Sequence, residues 1–283
     1  MANLADNVAR VIKVFGDIKT AIIERGVSVE NNTPVEEYPD KIRDVSLTNY
    51  NQGLSDGYSS GEGDGRQAQY DEFWDNYQNN GARTRYNGAF AGIGWNDETF
   101  IPKYTIRPTN DGVYMMFMET GITDIRSISI DTSKVTVFLY FAYLNSSLKY
   151  VGIIDCSSAT SLDSIFMFSY ALISIDKIIN VKPACTLNSM FLNCRNLVHV
   201  IFENCEFGQN GFSVASSSKL DKDSIISIFN SLSTTTTGLT VKFNKTAVNT
   251  AFGINVDDET TYTDEWKELM ASKPNWNIAF ANA

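Results

Sequence analysis

Residues 190–202 read MFLNCRNLVHVIF: two apolar residues, a small polar cluster, then Leu197 and Val200 three positions apart. The same order occurs upstream in MMFMETGITDI (115–125), FAYLNSSLKYV (141–151) and IFMFSYALISI (165–175). The anchors Ile122, Leu148, Leu172 and Leu197 are separated by 26, 24 and 25 residues. Three positions after each anchor stands Ile125, Val151, Ile175 or Val200. Seven before stands Met115, Phe141, Ile165 or Met190, and six before stands Met116, Ala142, Phe166 or Phe191. Three before come Glu119, Asn145, Ser169 and Cys194, which are mostly small or polar. One such coincidence means little. Three apolar columns in register over four units define an internal repeat.

A spacing of this length lies within the range of about 20–29 residues found for leucine-rich repeats. Each unit is expected to give one short strand, near LKYVGI, LISI and LVHVIF, with a turn or short helix behind it. No unit can bury its own apolar face, so stacking must supply the core. Asn145 and its counterparts are suited to satisfying turn backbone groups inside the stack, which gives Cys194 a structural role. Strand alternation turns polar residues outward. If the strand face recognises a ligand, the candidates are Lys149, Tyr150, Lys177, His199 and Glu203. Ordinary solvated surface is the other reading of each. An array needs a cap, and residues 219–283 offer one. There Leu220-Asp221 opens a helix carrying Ile225, Ile226, Phe229 and Leu232, and TGLTVKF (237–243) reads as a strand. Thr263 can N-cap DEWKELMAS, Pro274 ends that helix, and WNIAF (276–280) is the last strand.

Upstream of the repeats the periodicity changes. Leu4, Val8, Val11, Phe15, Ile18 and Ile22 follow spacings of 4, 3, 4, 3 and 4, a heptad seam closed by Gly26. Its β-branched residues occupy both core positions, a choice that favours three or more parallel strands. The alternative is an amphipathic helix packed on its own domain. Gly53, Gly57, Gly61 and Gly65 recur every four residues and would leave one helix face bare for close backbone approach. Each glycine costs about 1 kcal/mol of helix propensity, so a flexible linker is the competing reading. AQYDEFWDNYQNNG (68–81) reads as helix, and residues 82–111 as an aromatic connector containing Tyr86, Phe90 and Trp95. Those three rings suit packing between subunits or lining a carbohydrate site. The expected fold is therefore mixed α/β, with a helical, coiled-coil-like N-terminal stalk, a short leucine-rich-repeat solenoid and an α/β cap. Its divisions are 1–49, 50–111, 112–218 and 219–283.

Composition removes several functions. The net charge of −10 is spread as −6 over residues 1–112 and −4 over the rest. That argues against nucleic-acid binding and against docking on an anionic bilayer. No apolar run approaches the ~20 residues that span a membrane. The opening MANLADNVARVIK lacks a signal peptide's basic and apolar regions, so the chain is expected to be made in a cytoplasm and not to leave by that route. Cys156, Cys185, Cys194 and Cys205 form no CxxC pair, and His199 is the only histidine. Packed free thiols are expected rather than a zinc site, and neither a metal nor a cofactor is implied. The GIGW piece at 92–95 lacks the strand and third glycine of a dinucleotide fingerprint. Catalysis finds little support. Asp97/Glu98 and Asp257/Asp258 are pairs expected among 33 acids, and His199 has no GxSxG partner.

The spacing MF–x–x–C/S–x–x–L, as in MFLNCRNLVHVIF, resembles the BspA-like leucine-rich repeats of bacterial surface and phage proteins. The ending TDEWKELMASKPNWNIAF looks like the terminal unit of such arrays. LADNVARVIKVFGDIKTAIIERGV, YNQGLSDGYSSGEGDG and YDEFWDNYQNNG resemble proteins of phages and prophages of Gram-positive gut bacteria, similar to tail-fibre or tail-tip components. The resemblance departs from type where isoleucine and valine outnumber leucine. It implies a virion protein, a homotrimeric tail fibre or receptor-binding component meeting other tail or baseplate proteins and a host-surface protein or glycan. The expected location is then the virion, assembled in the host cytoplasm. A bacterial surface adhesin is the alternative, and a glycan-degrading tail enzyme the remote one.

Overall fold

The computed structural model describes residues 83–92, 95–97, 100, 102 and 104–281. The chain divides into two compact units, Met1–Phe73 and Trp74–Ala283, and the described residues belong to the second. The heptad seam and the four-residue glycine series lie outside the described residues.

From residue 83 onward the chain winds into stacked layers. On one side the layers pair as a parallel sheet, β1 (Tyr150–Asp155), β2 (Ser174–Ile179) and β3 (His199–Glu203), in that spatial order. Val151 lies beside Ile175, and Ile175 beside Val200, so each layer advances the chain by 24 or 25 residues. A one-residue irregularity between Ile175 and Ile178 brings Phe202 beside Ile178. A second line of parallel bridges joins Asn110 to Val135, Val137 to Ser161, and Ser161 to Thr186.

Behind the sheet the layers are joined by backbone bonds of another kind. The amides of Leu162, Ser164, Phe166 and Phe168 donate to the carbonyls of Thr186, Asn188, Met190 and Leu192 at 2.8–3.1 Å, each 24 residues further on. Left-handed backbone makes this possible. Met115, Glu119, Tyr140, Leu144, Ser164, Phe168, Ser189 and Asn193 have φ between 52° and 63°. Such a residue costs about 1–2 kcal/mol when it carries a side chain. A buried amide without a partner costs about 1–3 kcal/mol, so the bonded, strained turn is tolerated.

These left-handed pairs fix the register of the units. Met115, Tyr140, Ser164 and Ser189 are equivalent, so Phe117, Ala142, Phe166 and Phe191 share one column. The apolar columns that place Met115 beside Phe141, and Met116 beside Ala142, are therefore off by one residue in the first unit. Met115 is only half-buried, whereas Met116 and Phe117 are fully buried. The polar column corrects in the same way: Thr120, not the exposed Glu119, is the counterpart of Asn145, Ser169 and Cys194.

The layers also begin before residue 112. Tyr86, Gly88, Phe90 and Gly92 donate their amides to the carbonyls of Gly112, Tyr114, Met116 and Met118 at 2.7–3.0 Å. Gly88 and Gly92 take the two left-handed places. A Cβ on Gly112 would meet the Thr84 carbonyl oxygen at 2.3 Å, so this layer closes onto the next only with glycine there. Tyr86 and Phe90 are fully buried in this layer, which removes both from any exposed carbohydrate site.

Two internal ladders hold the stack. Phe90, Phe117, Phe141, Phe166, Phe191 and Phe212 run through the layers with successive ring centroids 5.6, 5.2, 6.2, 5.9 and 6.2 Å apart. The polar column runs beside them. Asn145 Nδ2 donates to the Phe117 carbonyl (2.7 Å), Ser169 Oγ to Ala142 (2.5 Å), Cys194 Sγ to Phe166 (3.0 Å) and Ser217 Oγ to Cys194 (3.1 Å). Each donor reaches back one layer and satisfies a carbonyl that the turn leaves open. Asn145 Oδ1 also accepts from the amides of Ser147 and Leu148 at 2.9 and 2.7 Å. Asn145→Ala is therefore expected to lower stability by about 1–3 kcal/mol, read from urea unfolding. A loss indistinguishable from zero would show that water replaces the amide.

After β3 the stack is closed by helix α1 (Lys222–Ser231), capped by Asp221, whose side chain accepts from the Ser224 amide. Ile225, Ile228 and Phe229 are fully buried, whereas Ile226 is only half-buried. The helix lies along the open edge of β3. The Val200 amide donates to Ser224 Oγ (2.8 Å) and the Phe202 amide to Ser227 Oγ (2.6 Å). Serine hydroxyls thus stand in for the carbonyls of a missing strand, and the edge cannot recruit another chain.

Beyond α1, β4 (Leu239–Asn244) pairs in parallel with β5 (Trp276–Ala281), with α2 (Lys245–Phe252) and α3 (Asp264–Ala271) between them in sequence. Thr263 caps α3. Trp266 is fully buried against Phe229, Phe252 and Phe280. Lys273 is buried too, and its ammonium donates to the Leu232 carbonyl where α1 ends, the negative end of that helix dipole.

Candidate functional site

The parallel sheet turns one side chain in each pair or triplet inward and leaves the others on its outer face. Tyr150, Ser174 and His199 are lateral neighbours across β1, β2 and β3. Asp221 continues the row: His199 Nδ1 lies 2.7 Å from Asp221 Oδ2. One step along, Lys177 on β2 pairs with Glu203 on β3 at 2.6 Å, and Ile153 on β1 is 58% exposed. Of the five residues singled out from sequence, four therefore share this face: Tyr150, Lys177, His199 and Glu203. All four are engaged with other side chains: Lys177 and Glu203 neutralise each other, His199 is held by Asp221, and the Tyr150 ring is covered by Arg126.

Sequence reasoning missed Arg126 and Asp124. The Arg126 guanidinium carbon lies 4.4 Å from the centre of the Tyr150 ring, while its nitrogens bond both oxygens of Asp124 at 2.6–3.1 Å. The bonds from Arg126 hold the Asp124 carboxyl below its usual range, against a smaller upward push from burial. A planar, doubly bonded guanidinium on an aromatic face is an oriented group rather than a free cation. The available signal was positional. Asp124 lies next to Ile125, the first unit's counterpart of Val151 in the strand column.

Lys149 goes elsewhere. It lines a shallow hollow of about 540 Å³ on the edge of the stack that leads into the strands, together with Tyr170, Asn196 and Lys219. Four successive layers contribute to it. Lys219 Nζ donates to Asn196 Oδ1 (2.7 Å), and Asn196 Nδ2 donates to the Tyr170 carbonyl (2.8 Å). Asn196 and Lys219 stand two residues after Cys194 and Ser217 of the polar column, so comparing that position across units would have found them.

The groups of catalytic interest serve local structure. Ser224 Oγ donates to Asp221 Oδ1 and accepts from the Val200 amide, so this serine is committed to the carboxylate and the strand edge. Asp97 accepts from the Thr123 amide and hydroxyl, Asp257 pairs with Lys245, and Asp258 caps a short turn at Thr260. The cysteines are free, and burial pushes the Cys194 and Cys185 thiols up to about 12 and Cys205 to about 11. Thiols so placed are poor nucleophiles. Among the described residues, no group of three His, Cys, Asp or Glu side chains converges as a metal site. Among the same residues, no helix is long and apolar enough to cross a membrane.

Burial pushes the Asp221 carboxyl up, but bonds from the Ser224 hydroxyl, the His199 ring and the Ser224 amide more than offset this, and its acidity is strengthened overall. Asp155 follows the same pattern, with Ser157 and Asn180 as donors. A carboxylate depressed in the folded state stabilises the fold above its unfolded value of about 3.9. That contribution fades as pH falls through the lowered folded value. Wild-type stability in urea should thus fall between pH 5 and pH 2. Asp221→Asn should flatten part of that fall, and an identical pH profile for the two proteins would discard the assignment.

No protein-family model matches the chain, and no curated protein or solved structure matches it.

Proposed function

We propose that this chain is a phage virion protein, a tail-fibre or receptor-binding component. In this reading its layers are a short leucine-rich-repeat-type array that recognises a host-surface ligand, and the N-terminal heptad seam joins copies into a trimer. One observation carries the binding role. Equivalent outward positions on β1, β2 and β3 stand in lateral rows, one strand spacing apart, so a ligand meets side chains displayed at regular intervals. Stacked repeats build extended recognition surfaces in this way. The phage context rests on the resemblance of the N-terminal segments. The trimer rests on the β-branched heptad core.

The test is adsorption. Purified protein added to host cells is expected to block attachment of the parent phage, and the chain is expected in purified particles by mass spectrometry. Absence from particles overturns the virion assignment and directs attention to the adhesin. For the trimer, light scattering should return about three chains per particle. A monomeric mass would remove that part of the proposal.

A further inference from the structure

The hollow that holds Lys149 combines three features. Its apolar floor is formed by Ala171, Ile173 and Val198. Its rim carries two ammonium groups, Lys149 and Lys219, and no carboxylate lines it. Among the described residues neither lysine is in an ion pair, which is also true of Lys134, Lys182 and Lys242 but not of Lys177, Lys222, Lys245 and Lys267. Among the same residues Lys219 Nζ bonds Asn196, which leaves donors of its ammonium for a ligand. In a chain of net charge −10 this is a local positive spot.

The third feature is aromatic. Tyr170 stands at the hollow 42% exposed. It ends a run of rings that crosses the layers. Tyr114 lies 6.0 Å from Tyr140, Tyr140 lies 4.7 Å from Tyr143, Tyr143 lies 6.0 Å from Phe168, and Phe168 lies 6.0 Å from Tyr170. The first four rings are half-buried, so the run presents edges and partial faces to solvent.

The geometry points to an acidic saccharide as the occupant. A sugar ring presents a face of weakly positive C–H groups, which matches the negative face of an aromatic ring such as Tyr170. An acid group on that sugar would meet the ammonium of Lys149 or of Lys219, either of which answers its charge with a charge-assisted hydrogen bond. Asn196 and Ser146 on the same rim offer amide and hydroxyl partners for sugar hydroxyls. The volume of about 540 Å³ suits one or two sugar units, and further units would follow the aromatic run. This inference rests on the binding role proposed above and names the ligand class for it.

The test uses the full chain and calorimetric titration with three probes: an oligogalacturonate, a phosphodiester-linked sugar polymer and a neutral oligoglucose. Binding of either acidic probe, with none of the neutral one, is expected, and the one preferred identifies the acid as carboxylate or phosphate. Lys149→Gln with Lys219→Gln should weaken that binding by about tenfold or more, as should Tyr170→Ala. All three residues are exposed, so the fold should survive. Lys267→Gln, exposed on α3 and outside both the hollow and the strand face, should leave binding unchanged. Equal loss with Lys267→Gln, or binding of no acidic probe, overturns the inference. If the protein still blocks phage adsorption in that case, the receptor-binding role stands without this site.

Discussion

Phe166→Ala should lower the stability of the folded unit by about 3–5 kcal/mol, the usual cost of emptying a buried phenylalanine site. Phe166 is fully buried in the middle of the aromatic ladder. Its ring is stacked on Phe191 at 5.9 Å and meets Phe141 edge-on at 6.2 Å. Truncation would remove both contacts and leave a void that the neighbouring layers cannot close. Their spacing is set by backbone bonds on two sides, including those from Leu162, Ser164, Phe166 and Phe168. Phe166→Leu keeps most of the volume and should cost less. Urea unfolding followed by tryptophan fluorescence measures both, since Trp266 is buried in the cap. A loss within a stack of layers is felt mainly in the adjoining ones, so hydrogen exchange in the Phe166→Ala protein should rise first around residues 141–145 and 189–193. A loss below about 1 kcal/mol would show that the ladder is loosely packed and that the interlayer hydrogen bonds dominate.

The legible part of this architecture is its aliphatic period. Ile122, Leu148, Leu172 and Leu197 are all fully buried, and their spacing alone carries that information. The first unit was misaligned because Met115, Met116 and Phe117 are all apolar, so composition could not say which two point inward. Only the left-handed backbone at Met115 and Glu119 settles it. The layer at 84–92 was hidden for a related reason. Its left-handed places are held by Gly88 and Gly92, which read as loop punctuation, and its apolar residues are aromatic rather than aliphatic. Asn145 could be suspected of serving the backbone, because a buried amide needs such partners. The hollow was not visible, since Lys149, Tyr170, Asn196 and Lys219 come from four layers and share no sequence motif. The outward residues of the strands were legible one by one. Their neutralising partners were not: the link from Lys177 to Glu203 spans 26 residues and that from His199 to Asp221 spans 22.

The double variant Ser224→Ala with Ser227→Ala should destabilise the protein by about 2–5 kcal/mol and promote self-association. Two opposing effects decide this. Alanine is the better helix former, and on an exposed helix face each change would gain up to about 0.5 kcal/mol. Here, however, both serines are buried against β3, and their hydroxyls are the acceptors for the amides of Val200 and Phe202 at 2.8 and 2.6 Å. Each amide left without an acceptor in a dry interface costs about 1–3 kcal/mol, which exceeds the propensity gain. Ser224 also donates to Asp221 at the helix cap, so its loss weakens the start of α1 as well. Once the helix loosens, β3 presents free amides on an open edge, and a second chain can pair with them. Urea unfolding measures the first effect, and light scattering at increasing protein concentration measures the second. Asn230→Ala, on the exposed side of the same helix, is the control and should stay within about 0.5 kcal/mol of wild type. If the double variant is as stable as that control, water or a shifted helix satisfies the edge, and the serine stripe is not what closes the stack. If it is destabilised but stays monodisperse, the hydroxyls hold the helix in place while the edge is guarded by something besides them.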